Sequence, residues 1–123
     1  MSSTGPLLYE KRTDGVAVVS INDDPLNRMT LAYVDMLEAV VADIAADDAV
    51  RAFVVTAEGT TNFSVGMNLK ELGTGVAAAG GIDPFFDQRL ALISRIETMG
   101  KPSVATLFGY CLGGGLELPL GCT

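Results

Sequence analysis

Short runs of apolar and β-branched residues along the chain predict β-strands. Residues 7–12 and 16–22 form two such runs on either side of Asp14-Gly15, which is a typical hairpin turn. Residues 51–57 (RAFVVTA) are apolar at most positions, so we expect a strand buried on both faces, as in a parallel sheet. Residues 103–107 predict a further buried strand.

Apolar positions at helical spacing predict two longer helices. Thr30 is suited to cap the first, which should run to about Asp47. The second should start at Asp83-Pro84 and end at Gly100. Its inward face is expected to consist of Phe86, Leu90, Ile93, Ile96 and Met99. Shorter helical starts are predicted at residues 68–72 and 116–120.

Two other segments have the composition of loops. Residues 22–27 (NDDPLN) are polar and contain proline, and residues 58–62 are predicted to form a turn. Residues 73–81 (GTGVAAAGG) consist almost entirely of small residues, so we expect a mobile loop or lid there.

One arrangement occurs twice, about fifty residues apart: a buried strand, a glycine turn and a helical start. Residues 53–56 lead through Gly66, and residues 104–107 lead through Gly114. Such a repeat predicts a solenoid-like stack of strand–helix turns. The two glycine turns, each followed by a helix N-terminus, should then lie side by side.

The composition excludes several kinds of partner and catalytic site. The 123 residues are 49% hydrophobic, which fits one folded domain with a sizeable core, and the net charge of −7 without a basic patch argues against a nucleic-acid partner. The chain has no histidine, which excludes Ser-His-Asp and Cys-His nucleophiles and histidine-containing zinc sites. We expect no metal site, so catalysis would rely on carboxylates, hydroxyls, lysine, cysteine or the backbone.

Cysteine usage and apolar runs indicate a cytoplasmic protein. Cys111 and Cys122 form neither a CxxC pair nor a disulfide framework, and the N-terminus lacks the plan of a signal peptide. Residues 102–122 carry a single charge, Glu117, but five glycines and two prolines favour a buried strand–loop–helix unit over membrane insertion.

The repeated glycine turns suggest an anion site made of backbone groups. The first turn of a helix has N–H groups without partners, and a preceding glycine lets a ligand approach them closely. The N–H groups of Met67, after Gly66, and of Gly114 would together bind a developing oxyanion. Glu117 follows three residues later and is either a helix-terminal charge or an acid/base catalyst. The spacing of the glycines differs from GxGxxG, so no nicotinamide cofactor is expected.

Three segments match the order of motifs in a known family. Residues 57–72 (AEGTTNFSVGMNLKEL) place a Phe and a Gly before Lys-Glu-Leu, and residues 101–122 (KPSVATLFGYCLGGGLELPLGC) read Lys-Pro, strand, Gly-Tyr-x-x-Gly-Gly-Gly-x-Glu-Leu. Both segments resemble signatures of the enoyl-CoA hydratase/isomerase (crotonase) superfamily.

A third segment, residues 22–30 (NDDPLNRMT), resembles the loop that this family places against CoA.

The resemblance implies a spiral of ββα turns that binds an acyl-CoA thioester, with its carbonyl oxygen at the N–H groups of Met67 and Gly114. Glu117 matches the first of two catalytic glutamates. The implied substrate-binding residues are Leu26, Arg28, Ser64, Gly66, Met67, Asn68, Leu69, Lys70, Gly113 and Gly114. No cofactor is implied beyond the CoA of the substrate, and a homo-oligomer, a trimer or dimer of trimers, is expected.

The chain also departs from the family pattern. Asn68 stands where Asp is common, Met67 where Ala is common and Thr123 where Asp is usual. The second glutamate of the family lies beyond Thr123, so residues 1–123 resemble the N-terminal part of a crotonase-like domain that is incomplete at its C-terminus.

More than one function is compatible with the sequence. Hydration or isomerisation of an acyl-CoA is the first hypothesis. The superfamily also includes decarboxylases, dehalogenases and C–C hydrolases. The alternative from another class is a non-catalytic fragment or interaction module that retains the fold signature alone.

Overall fold

A four-stranded sheet lies at the centre of the structure, a computed structural model that describes residues 5–67 and 69–123. The strands in chain order are β1 (Leu7–Lys11), β2 (Val16–Ile21), β3 (Arg28–Met29), β4 (Ala52–Ala57), β5 (Gly66–Met67) and β6 (Ser103–Ala105). The central sheet has the order β1-β2-β4-β6, whereas β3 and β5 form a separate parallel pair.

The sheet combines a hairpin with parallel crossovers, as the repeated pattern predicts. Strands β1 and β2 are antiparallel, and the Asp14 carboxylate accepts a 3.1 Å hydrogen bond from the Val16 N–H in the turn between them. Strands β2, β4 and β6 are parallel to one another. The predicted hairpin and α/β fold class are therefore confirmed.

Helices cover the sheet and connect its parallel strands. They are α1 (Leu31–Ala46), α2 (Leu72–Ala79), α3 (Ile82–Thr98) and α4 (Gly114–Leu120), with a 3₁₀ turn at Leu69–Glu71 before α2. Helix α1 is capped by Thr30, as predicted: its Oγ1 accepts a 3.0 Å hydrogen bond from the Tyr33 N–H. At the other end, Lys101 Nζ donates to the carbonyls of Ile44 and Asp47.

One hydrophobic core joins the sheet to the helices. Helix α1 contributes Tyr33, Val34, Leu37, Val40, Val41 and Ile44. Strand β4 supplies Phe53 and Val55, and α3 and α4 add Leu92, Ile96 and Leu118. Burial of these apolar side chains is the main favourable contribution to the free energy of folding. Because α4 shares the core with α1, the predicted site is attached to the centre of the fold.

Two strands are less buried than their sequences predict. In β4, buried residues alternate with half-buried ones, so one face alone is fully covered. Strand β6 ends at Ala105 rather than at Leu107, and Val104 is 58% exposed. The cause is topological, since β6 is the edge of the sheet and pairs with β4 alone.

The prediction of a mobile loop at residues 73–81 is wrong, because most of this segment is helix α2. Its small residues permit close packing: a Cβ added to Gly75 would lie 2.5 Å from Phe85 Cε1 and 2.8 Å from Leu31 Cδ2. Gly80 ends the helix in the left-handed conformation, with φ of 88°.

Helix α3 differs from prediction at its start and on its buried face. It begins at Ile82 after Gly81, so Asp83 lies in its first turn rather than at the N-cap, whereas Pro84 lies in the first turn as predicted. The fully buried residues are Phe85, Leu92 and Ile96. Phe86 and Leu90 are 41% and 55% exposed because they face a cavity instead of the core.

Neither a membrane-spanning helix nor a metal-binding cluster is found in the described part of the chain. No helix there combines the length and hydropathy needed to cross a bilayer. The same residues contain no cluster of three or more Asp, Glu or Cys side chains that could hold a metal ion.

Two substitutions in α2 test its packing. Gly73→Ala, where an added Cβ meets no atom within 4 Å, should raise the free energy of unfolding by up to about 1 kcal/mol through helix propensity. Gly75→Ala should lower it by about 1–3 kcal/mol, because the buried Phe85 ring must shift. Denaturant unfolding of both variants measures this difference. Changes below about 0.5 kcal/mol in both would contradict a packed helix here.

Candidate active site

The two strand–glycine units predicted from the sequence lie side by side. In the sheet, Phe53 of β4 pairs with Ser103 of β6. Further along, Ser64 and Cys111 form an isolated parallel bridge, in which the Leu112 N–H donates to the Ser64 carbonyl at 3.0 Å. The pairing of the strands therefore continues into the glycine turns.

The glycines allow the two turns to touch. Gly66 has φ of +96°, and a Cβ added to it would lie 2.7 Å from the Leu112 oxygen and 3.4 Å from the Gly114 nitrogen. A Cβ on Gly115 would lie 2.5 Å from the Ser64 oxygen. Atoms essentially never approach a real Cβ below 3.0 Å, so both positions require glycine in this arrangement.

The surroundings of the two predicted N–H donors differ. At the second turn, Gly114 is the first residue of α4, and no hydrogen bond of its N–H is found within residues 5–67 and 69–123. At the first turn, Met67 lies on β5, which pairs with β3, rather than at a helix N-terminus. The prediction of two equivalent helix starts is therefore wrong. Asn68, which was expected to begin a helix, lies outside the described residues.

One cavity of about 250 Å³ brings the three predicted catalytic residues together. Met67, Gly114 and Glu117 all contribute to its wall. The other lining residues are Met29, Val34, Leu37, Phe86, Arg89, Leu90, Leu92, Ile93 and Leu118. The cavity is therefore apolar apart from Arg89 and Glu117, which suits an acyl chain.

Glu117 lies in the first turn of α4. Its side chain is exposed at the cavity, while its backbone N–H donates to the Gly113 carbonyl at 3.1 Å. Since the carboxylate and Gly114 are one turn apart on the same helix, a group bound at the Gly114 N–H lies beside an acid/base side chain.

Ser64 has a structural contact that the sequence pattern did not predict. Its side chain is fully buried, and Oγ accepts a 3.0 Å hydrogen bond from the Gly66 N–H. A serine two residues before a glycine commonly makes such a turn. This hydrogen bond holds the Gly66 turn.

Arg28, predicted to bind substrate, forms an ion pair with Asp23 in the loop that precedes β3. Its Nε and Nη2 donate to the Asp23 carboxylate at 2.7 and 3.1 Å, and its backbone N–H donates at 3.0 Å. These hydrogen bonds hold the pKa of Asp23 below its ordinary value. Among the other predicted binding residues, Leu26 is 44% exposed, Leu69 is 78% exposed and Lys70 is exposed.

Two buried asparagines connect the loop at residues 22–27 to the glycine turns. The Asn27 amide donates to the carbonyls of Glu58 and Asn62 at 2.9 and 2.7 Å. Asn62 Nδ2 donates to the Pro25 carbonyl, and its Oδ1 accepts from the Tyr110 N–H. Neither asparagine is among the residues predicted from the sequence; the signal for Asn27 is its residue type, because asparagine tolerates the observed φ of 50°.

Comparison with known proteins identifies the family. The family model for enoyl-CoA hydratase/isomerase matches residues 16–123. The chain belongs to the enoyl-CoA hydratase/isomerase family. It is 37% identical over 114 residues to a peroxisomal fatty acid beta-oxidation multifunctional protein of Oryza sativa subsp. japonica. It is 32% identical over 107 residues to a probable enoyl-CoA hydratase of Bacillus subtilis (strain 168).

Solved structures of this family share the fold. An enoyl-CoA hydratase/isomerase from Xanthobacter autotrophicus Py2 matches with a TM-score of 0.84 and 28% identity, and the match covers 98% of this chain and 45% of that one. The match covers 92% of this chain and 15% of the rice protein, and 87% of this chain and 41% of the Bacillus protein. The predicted crotonase-like fold is confirmed, and the chain spans less than half the length of these relatives.

The Asp23–Arg28 pair gives a pH test of the loop. Asp23→Asn removes a carboxylate whose pKa is lowered in the folded state. Its stabilising effect should be complete above the unfolded pKa of about 3.9 and lost as pH falls through the lower folded value. Denaturant midpoints of wild type and variant should therefore differ at pH 7 and converge in acid. Asp24→Asn, at an exposed neighbouring carboxylate, is the control; equal midpoints for Asp23→Asn and wild type at pH 7 would contradict the prediction.

Proposed function

We propose that this chain contributes the acyl-CoA site of an enoyl-CoA hydratase or isomerase. The observation that carries the proposal is the shared apolar cavity of Met67, Gly114 and Glu117. Membership of the enoyl-CoA hydratase/isomerase family supports it. The name of the Bacillus relative, a probable enoyl-CoA hydratase, indicates the same reaction class.

In this proposal, the thioester carbonyl oxygen accepts hydrogen bonds from the N–H groups of Met67 and Gly114. Negative charge develops on this oxygen when the thioester forms an enolate, and fixed donors stabilise the transition state more than the ground state. Donors in the rigid backbone need no reorganisation during the reaction. The close approach of Gly66 to the Leu112 carbonyl, in the turn before Gly114, supports a fixed separation of the two groups.

Glu117 then transfers the proton, or orients the water that adds to the double bond. Its position one turn from Gly114 supports this role, because the reacting carbons of an enoyl thioester lie close to its carbonyl. We propose no cofactor other than the CoA of the substrate and no metal ion.

The CoA moiety is proposed to contact the surface formed by Leu26, Leu69 and Lys70. Leu26 and Leu69 are exposed and close in the chain to the paired strands β3 and β5, which border the cavity through Met29 and Met67. Arg28 participates through the loop that its ion pair with Asp23 holds in place.

We also propose that the chain forms a homo-oligomer and is located in the cytoplasm. Several large apolar side chains near β6 and α4 are exposed: Val104, Leu107, Tyr110, Leu112, Leu116 and Leu120. Apolar surface of this kind supports association with further protein. The alternative is a non-catalytic fragment or interaction module, which an activity assay distinguishes from an enzyme.

The first experiment is an assay of the purified chain with crotonyl-CoA. Turnover of crotonyl-CoA supports the hypothesis that the chain is an enoyl-CoA hydratase. A folded chain that binds acyl-CoA without turnover supports the fragment, and activity on a halogenated or decarboxylatable thioester alone would favour another reaction of the superfamily.

Glu117→Gln should reduce hydration of crotonyl-CoA by about 10²-fold or more, the range for loss of a general acid/base. The amide keeps the size of the side chain but cannot carry the proton. Glu97→Gln, at an exposed glutamate of α3, is the matched control and should leave kcat unchanged. Equal kcat for wild type and Glu117→Gln would remove Glu117 from the mechanism.

Gly114→Pro should lower kcat by about 10²–10³-fold by deleting one oxyanion donor. Proline is tolerated at the first position of a helix, where Gly114 lies. Gly114→Ala is the matched control, since it also adds a Cβ 3.4 Å from Met29 Sδ but keeps the N–H. A folded proline variant with the activity of the alanine variant would contradict the oxyanion assignment.

A further inference from the structure

Helix α3 places a guanidinium in the wall of the proposed acyl cavity. Arg89 lines the cavity, and its central guanidinium carbon lies 3.7 Å from the centroid of the Phe85 ring. Nη1 donates to the Phe85 carbonyl at 3.2 Å. The ring contact and this hydrogen bond fix the position of the side chain.

The charge of Arg89 is incompletely matched by protein groups. Within residues 5–67 and 69–123, no carboxylate lies within 4.0 Å of its guanidinium nitrogens. Burial lowers the pKa of Arg89, and the more distant charge of Asp35 opposes this effect. A guanidinium has five N–H donors, and within the described residues the Phe85 carbonyl is the acceptor found for them.

Placing a half-buried cation beside an apolar cavity costs free energy, which an anion or hydrogen-bond acceptor bound there would offset. A carboxylate is the group whose geometry matches a guanidinium best, because two parallel N–H···O bonds can form. Glu117, the other charged residue of the wall, lies on α4 beside Gly114. It is therefore next to the proposed thioester end of the substrate, whereas Arg89 lies on the other helix.

We propose that the acyl group bound here ends in a carboxylate, which pairs with Arg89. This inference rests on the proposed acyl-CoA function and adds the substrate class: thioesters of dicarboxylic acids. The thioester carbonyl binds at Gly114, and the free carboxylate at the far end of the acyl chain reaches the guanidinium on α3. Arg89 is a specificity-determining residue in this arrangement.

The simpler role of Arg89 is to cover the buried Phe85 ring. That role requires packing of the aliphatic stem and face of the guanidinium, and it predicts no preference among acyl groups. The net charge of −7 also disfavours a more anionic ligand. A preference for dicarboxylic thioesters would therefore require a local cation.

Calorimetric titration of the full chain compares three pairs of saturated thioesters with equal carbon number. The pairs are succinyl-CoA with butyryl-CoA, glutaryl-CoA with pentanoyl-CoA, and adipoyl-CoA with hexanoyl-CoA. For at least one pair, we expect the dicarboxylic ester to bind about tenfold more tightly, the effect of one charge-assisted contact. Because this preference is measured on the wild-type chain, this part of the test does not depend on the folding of a variant.

Arg89→Met, which keeps a long side chain over Phe85, should abolish the preference. Arg95→Met is the matched control: Arg95 lies on the same helix but lines a different cleft, beside Glu38, so the preference should persist.

Equal binding of both esters at every length, or a preference that survives in Arg89→Met, would overturn the inference while acyl-CoA binding stands. If the folded chain binds none of the six esters, the acyl-CoA proposal fails and this inference fails with it.

Discussion

The arrangement of the site depends on one contact, the backbone-to-backbone approach of two glycine turns. Gly66 approaches the Leu112 carbonyl, and Gly115 approaches the Ser64 carbonyl, at distances that leave no room for a Cβ. The parallel pairing of β4 with β6 produces this approach, and the Ser64–Cys111 bridge continues it. Two turns distant in sequence thereby become one surface of backbone groups.

The proposed acyl-CoA chemistry depends on this constraint, because the chain has no histidine. Backbone N–H groups bind negative charge without a side chain, provided that their positions are fixed before the reaction. The proposed mechanism then requires one mobile proton carrier, which Glu117 supplies. An acyl chain bound against the apolar lining of the cavity would displace water from it, which strengthens electrostatic interactions there.

Polar residues away from the cavity keep the turns in place. Asn27 and Asn62 satisfy buried carbonyls between the loop at residues 22–27 and the turn before β5. The Asp23–Arg28 pair orders the same loop, and Ser64 holds the Gly66 N–H. Removal of one partner from such a network leaves a buried group unsatisfied, so the network specifies one conformation. The described structure thus separates residues that line the cavity from residues that position it.

The sequence by itself determined the hairpin, helix α1 with its Thr30 cap, the parallel repeat and the family, because each is encoded by local periodicity or by a contiguous motif. It also predicted that Met67, Gly114 and Glu117 would lie together. The tertiary structure alone decided that residues 72–79 form a helix, since the packing of Gly75 against Phe85 gives its small residues a function. The tertiary structure also decided that Phe86, Arg89 and Leu90 line a cavity. It decided that Arg28 pairs with Asp23 and that the Ser64 hydroxyl accepts a hydrogen bond from the Gly66 N–H. These outcomes depend on contacts between residues far apart in the chain, and a local pattern shows that a face exists without showing what it meets.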